Sequence, residues 1–156
     1  MTSVREDILA DLVTTCSTIT TGNGYNLTVM EVERYEAEGQ ALSVLPAILV
    51  IGGRQTRVNE ASGRVEWSMQ VLLDCFRVHN PVSDPRSSDE LLSEMASDVI
   101  KAMMTDRTRS GYAIDTDVVE IEPYPVIPNT GRDINVVVEL EIHFRHIAED
   151  PEDQGT

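Results

Sequence analysis

Hydrophobic and polar positions along the chain predict seven elements in the order helix, strand, strand, strand, helix, strand, strand. Residues 3 to 19 fit a helix: Ser3 with Glu6 three places on makes a capping box, and Ile8, Leu12, Cys16 and Ile19 line one stripe flanked by Leu9 and Val13. Thr20-Thr21-Gly22-Asn23-Gly24 breaks it, because its glycines accept a positive φ. Tyr25 to Val32 is β-like with imperfect alternation around Met30, and Arg34 to Gly39 is polar enough to loop. Leu45 to Gly53 is a short apolar run opened by a proline and closed by two glycines, the signature of a strand buried on both faces.

The next stretch is more explicit. From Val65 to Val78, the odd positions Val65, Trp67, Met69, Val71, Leu73 and Cys75 alternate with a mostly polar even set that still includes Leu72 and Phe76. Between the two strands, Arg54 to Arg64 is polar with a Gly63 turn, which predicts a hairpin with a long exposed tip. Asn80 to Pro85 is rich in turn residues. Ser87 and Glu90 then repeat the capping-box spacing and open a helix with a wide apolar stripe from Leu91 to Met104. Its methionines fit core filler better than a binding groove. Val118 to Tyr124 and Asp133 to His146 close the series, joined by a loop through Pro125, Pro128 and Gly131. In the last strand Ile134, Val136, Val138, Leu140, Ile142 and Phe144 face one way, while Asn135, Glu139, Glu141, His143 and Arg145 face the other. The expected fold is α+β: a mainly antiparallel sheet with both helices packed on one face. Residues 1–148 form a single domain, and 149–156 form an acidic tail without an apolar anchor, expected to be disordered.

Composition narrows the function. The 156 residues hold 12 Lys+Arg against 27 Asp+Glu, a net charge of −15. A chain of this length buries roughly 68–70 % of its unfolded surface, so a globular domain is expected. Sequence-specific DNA binding is disfavoured, because such affinity comes largely from Lys and Arg displacing phosphate counterions. The charge serves solubility on the plain reading, or lets nucleic acid pass without sticking on the sharper one. No window has the length and apolarity of a membrane span, and Arg5-Glu6-Asp7 puts acids where a signal peptide has a basic flank, so a protein used without secretion and without a membrane is expected. Cys16 and Cys75 lie in apolar stretches without a paired-cysteine motif, as core residues do.

Catalytic patterns are missing. His79, His143 and His146 lie far from any nucleophile elbow, and Gly22-Asn23-Gly24 and Gly52-Gly53 lack the rest of a phosphate-cradling loop. Glu141 and His143 share a strand face and in principle suit a metal, but a solvated face supplies such pairs by chance. The reading is therefore of a chain without an active site, cofactor or metal. What remains is surface design. Arg54, Arg57 and Arg64 fall on the hairpin tip, where a basic tip on an acidic body is self-complementary between copies, or else merely balances local charge. Leu72 and Phe76 on the polar sheet face are scattered exposed apolars, or the centre of a subunit contact. Together they favour a head-to-tail oligomer that closes into a ring.

From the first residues to about His146 the chain resembles the tail terminator, or tail completion, proteins of long-tailed bacteriophages. The likeness lies in the opening helix with Arg5-Glu6-Asp7-Ile8-Leu9-Ala10, the strand after Leu45-Pro46-Ala47, the strand with Val71-Leu72-Leu73-Asp74-Cys75-Phe76, and the helix after Asp89-Glu90-Leu91-Leu92. Val118-Val119-Glu120-Ile121-Glu122 and Asp133 to Phe144 match the family's closing pair of strands. The resemblance implies a structural virion protein at the head-tail junction. It would form a hexameric ring that caps the tail tube, stops its polymerisation and docks to the head connector, with DNA passing through unbound. Arg54, Arg57, Arg64, Leu72 and Phe76 are then candidate interface residues, and Glu139 and Glu141 candidate channel-lining acids. Two alternatives stay open: a neck, head-completion or tail tube protein, and a small acidic ligand-binding module or enzyme.

Overall fold

The computed structural model describes residues 2–36, 42–125 and 133–155. Ser3 caps the first helix, α1 (Val4–Ser17), its hydroxyl accepting from the Glu6 N–H, and Glu6 and Asp7 place negative charge at the positive end of the helix dipole. A single 3-10 turn at Thr21–Asn23 ends on Gly24 with φ +88°. The strands are β1 (Glu31–Arg34), β2 (Ala47–Ala61), β3 (Arg64–Val78), β4 (Asp115–Tyr124) and β5 (Asp133–Ile147). The second helix, α2 (Ser88–Thr105), carries the full capping box of Ser87 and Glu90 that its sequence promises.

The five strands form one sheet in the order β1-β2-β3-β5-β4. β1 runs parallel to β2, and all other pairs are antiparallel. Both helices cover the same face. Val4, Ile8, Leu9, Leu12 and Cys16 of α1 and Leu91, Leu92, Met95, Val99 and Met103 of α2 join the inward positions of β3 and β5 in a single apolar cluster. The chain is thus α+β, with the element order read from its sequence.

Three departures have physical causes. Tyr25 to Val32 is a strand only in its last two residues, Glu31 and Val32. Leu27 and Val29 are buried two apart, as in a strand, but their backbone bonds elsewhere. The N–H groups of Asn26 and Leu27 donate to the buried Asp98 carboxylate of α2 at 3.0 to 3.2 Å, and the Val29 N–H donates to Ile19 O at 2.9 Å. Gly52 and Gly53 do not close β2. A Cβ on Gly52 would meet Leu9 Cδ1 at 3.1 Å and Arg5 Nη2 at 2.8 Å, so the glycine is where α1 crosses the strand, and a bulge follows before Gln55. Nor is Arg54 to Arg64 a loop. β2 and β3 stay paired up to Ala61 and Arg64, and the turn is only Ser62 and Gly63, with φ +54° and +76° as a tight hairpin requires.

Residues 149–155, where the sequence offers no apolar anchor, are held by backbone groups and one amide. Val4 N–H donates to Pro151 O at 3.0 Å, Ile147 N–H to Asp153 O at 2.6 Å, and the Gln154 side chain to the carbonyls of Gly111 and Tyr112. The expected loop over 34–39 keeps Arg34 in β1, while 37–39 lie outside the described residues, as does the loop through Pro128 and Gly131.

Candidate functional site

The face opposite the helices is the one available for partners. Its residues are the even positions of β3 and odd positions of β5, which the ladder aligns as Ser68 with His143, Gln70 with Glu141, Leu72 with Glu139, Asp74 with Val137 and Phe76 with Asn135. β4 adds Asp117 beside Glu141, Glu120 beside Glu139 and Glu122 beside Val137. One diagonal of this face is acidic. Glu139 accepts from the Gln70 amide, and Glu141 accepts from the Ser68 hydroxyl at 2.8 Å and lies 3.1 Å from His143 Nε2. Glu141 and His143 thus engage each other. Among the described residues no group of three or more His, Cys, Asp or Glu could hold a metal ion.

The candidate interface residues divide between two sides. Arg54, in the bulge of β2, shares the acidic face. With Ser68, Gln70, Val119, Glu139 and Glu141 it lines a shallow hollow of about 260 Å³. Its side chain forms no hydrogen bond or ion pair among the described residues. Arg57 points to the helix side instead. It pairs with Trp67 across the ladder, its guanidinium lies 5.7 Å from the Trp67 ring centroid, and it bridges to Glu60 at 3.2 Å. Arg64 sits at the turn against Gly155, where a Cβ would approach its Nε at 2.8 Å. The three arginines therefore do not make one basic tip. Strand alternation sends Arg54 and Arg57 to opposite faces.

Leu72 and Phe76 do share the open face, with Asp74 between them. Burial among Leu49, Leu72, Phe76 and Val137 pushes the Asp74 carboxyl above its ordinary range, although the Asn135 amide donates to it at 2.7 Å. Sequence reasoning missed this pair, yet a signal was present: Asp74 and Asn135 are the polar breaks between apolar residues on two strands. Arg145, which alternation placed on this face, is exposed and forms no ion pair among the described residues. No family model matches the chain. None of the curated proteins matches it either.

The remaining reactive groups belong to the core. Burial pushes the Cys16 thiol up to about 12 despite nearby Arg109, and lifts Cys75 well above the ordinary thiol range, so neither is a thiolate at neutral pH. His146 is buried, with Nε2 accepting from the Trp67 indole at 2.8 Å and Nδ1 against Ile147 O at 2.7 Å. Arg109 is fully buried at φ +51°. It donates to Met103 O at 2.8 Å and lies 3.6 Å from Asp11. These contacts tie the loop after α2 to α1.

Proposed function

We propose that this chain is a tail terminator of a long-tailed bacteriophage, a subunit of a ring that caps the tail tube and adjoins the head connector. The observation that supports it is the two-sidedness of the sheet. One face is closed by both helices, whereas the other, broad and accessible, carries Glu139 and Glu141 with Asp117, Glu120 and Glu122 alongside. In a ring with that face turned inward, the carboxylates repel the phosphates of passing DNA. Lysines in their place would bind phosphate by releasing counterions. The net charge of −15 suits the same role. Arg54, Leu72 and Phe76 lie where the open face would meet a neighbour or the tube, and the reading assigns no catalytic residue.

Incubating the full chain with polymerising tail tube subunits tests this. Electron microscopy should show tubes of limited length with a ring at one end, and Glu139→Lys with Glu141→Lys should leave the capping intact while slowing DNA passage through assembled virions. Tubes that grow without limit and keep bare ends at every ratio of the two proteins would overturn the reading.

A further inference from the structure

The sheet ends in two unlike edges. β4 forms one, paired among the described residues only with β5. Its Asp117, Glu120 and Glu122 are exposed and form no ion pair among the described residues, in contrast to Asp115, which Arg107 holds through hydrogen bonds of 2.6 and 2.9 Å. The second half of β2 forms the other edge. β1 pairs with β2 only from Ala47 to Val50, and Arg5 reaches Gly53 O and the Gln55 side chain. From Thr56 to Ala61 no described strand other than β3 bonds to it. This edge carries Arg54 on the open face and, on the helix side, Arg57 bridged to Glu60.

Open strand edges are pairing templates, and proteins blunt them with charge, bulges and proline. All three are present here: Pro123 interrupts β4, and each edge has a bulge, between Val118 and Glu120 and between Arg57 and Asn59. Charge of one sign blunts an edge only against its like. On the open face the edges differ in sign, Asp117, Glu120 and Glu122 against Arg54, so the carboxylates that keep β4 from β4 attract it to β2. Val119 and Ile121 on one edge and Val58 on the other are large, exposed apolar side chains available to the contact.

Strand direction permits the match. β2, β3, β5 and β4 are antiparallel in turn, so β4 runs antiparallel to β2. Two copies side by side with the same face up therefore present β4 of one antiparallel to β2 of the next. We propose that the β4 edge of one copy docks on the Arg54–Ala61 edge of a second copy, with Asp117, Glu120 and Glu122 facing Arg54 on the open side of the sheet. The proposal deepens the ring reading and rests on it for closure. Because β1 covers β2 as far as Val50, the copies are offset along their strands, and such an offset tilts strands to the axis of a closed ring. Each contact leaves one free edge of each kind, so it repeats until the ring closes.

Native mass spectrometry of the full chain over a concentration series tests the pairing against three variants: Glu120→Arg, Arg54→Glu, and both together. Both positions are exposed, and circular dichroism checks the fold. Each reversal alone should weaken association by about tenfold, as expected for loss of close opposite charges, and the double variant should recover it. Association unchanged by either reversal would overturn the edge pairing while leaving a ring closed through another surface. Two weakened variants without recovery in the double one would overturn it as well. A native chain that stays monomeric at all concentrations, alone and with tube subunits, would end both this proposal and the ring.

Discussion

Leu73 and Leu72 are neighbours on β3 and point to opposite sides of the sheet: Leu73 is sealed beneath the helices, whereas Leu72 sits half-buried among Glu139, Asp74 and Ile51. The helix side is finished by its own chain. The buried positions of β3 and β5 facing α1 and α2 pack in one apolar cluster, and the acid buried there among the described residues, Asp98, is satisfied by three N–H groups. The open side is only half finished. It holds apolar side chains of intermediate exposure, a desolvated Asp74 and charges, Arg54 and Glu120 among them, that form no ion pair among the described residues, a make-up that suits the proposed contact with another copy. On the proposed reading one strand thus encodes two tasks, folding on its odd positions and assembly on its even ones.

Mutations sharpen that contrast, in descending order of effect. Leu73→Ala should destabilise the chain by about 3 kcal/mol in urea unfolding, as large-to-small changes in sealed cores do; a loss below about 1 kcal/mol would mean the helix side is loosely packed. Asp98→Ala should cost about 2 kcal/mol, because the buried N–H groups of Asn26 and Leu27 lose their acceptor. Asp98→Asn should cost less, since its carbonyl still accepts. Leu72→Ala should cost about 1 kcal/mol or less in the isolated subunit and instead weaken assembly, so equal losses for Leu72 and Leu73 would erase the distinction between the sides.

Asp74→Asn should be slightly stabilising at neutral pH, by less than about 1 kcal/mol since the group is partly hydrated. The folded chain holds Asp74's proton more tightly than the unfolded chain does. This contribution to stability is therefore largest at acid pH and is lost as pH rises through the unfolded and then the raised folded value. The wild type should lose stability relative to Asp74→Asn across that window, and parallel pH profiles for the two would contradict the assignment.

Most of the fold was legible because period-2 and helical patterns record which side faces a core. Both capping residues, Ser3 and Ser87, and the alternation of β3 and β5 translate directly into structure. Errors arose where backbone bonding and side-chain burial part company. Leu27 and Val29 are buried with strand spacing, but Asp98 and Ile19 take their N–H groups. Arg54 to Ala61 is strand without burial, because the ladder to β3 satisfies its backbone while its side chains stay in water. The same limit governs the site. Glu139, Glu141, Leu72 and Phe76 were placed on the open face by strict alternation, whereas Arg54 and Arg57, three residues apart and so on opposite faces, read as one basic tip only if 54–64 is a loop.

The central claim is that a second copy pairs with the strand edges that flank the open side of the sheet. Amide hydrogen exchange of the full chain, dilute and then at assembling concentration, tests it most directly. The account predicts added protection at Asp115 to Glu122 of β4 and Thr56 to Ala61 of β2, with α1 and α2 unchanged. Protection that appears on the helices instead, or nowhere along the sheet, would contradict it.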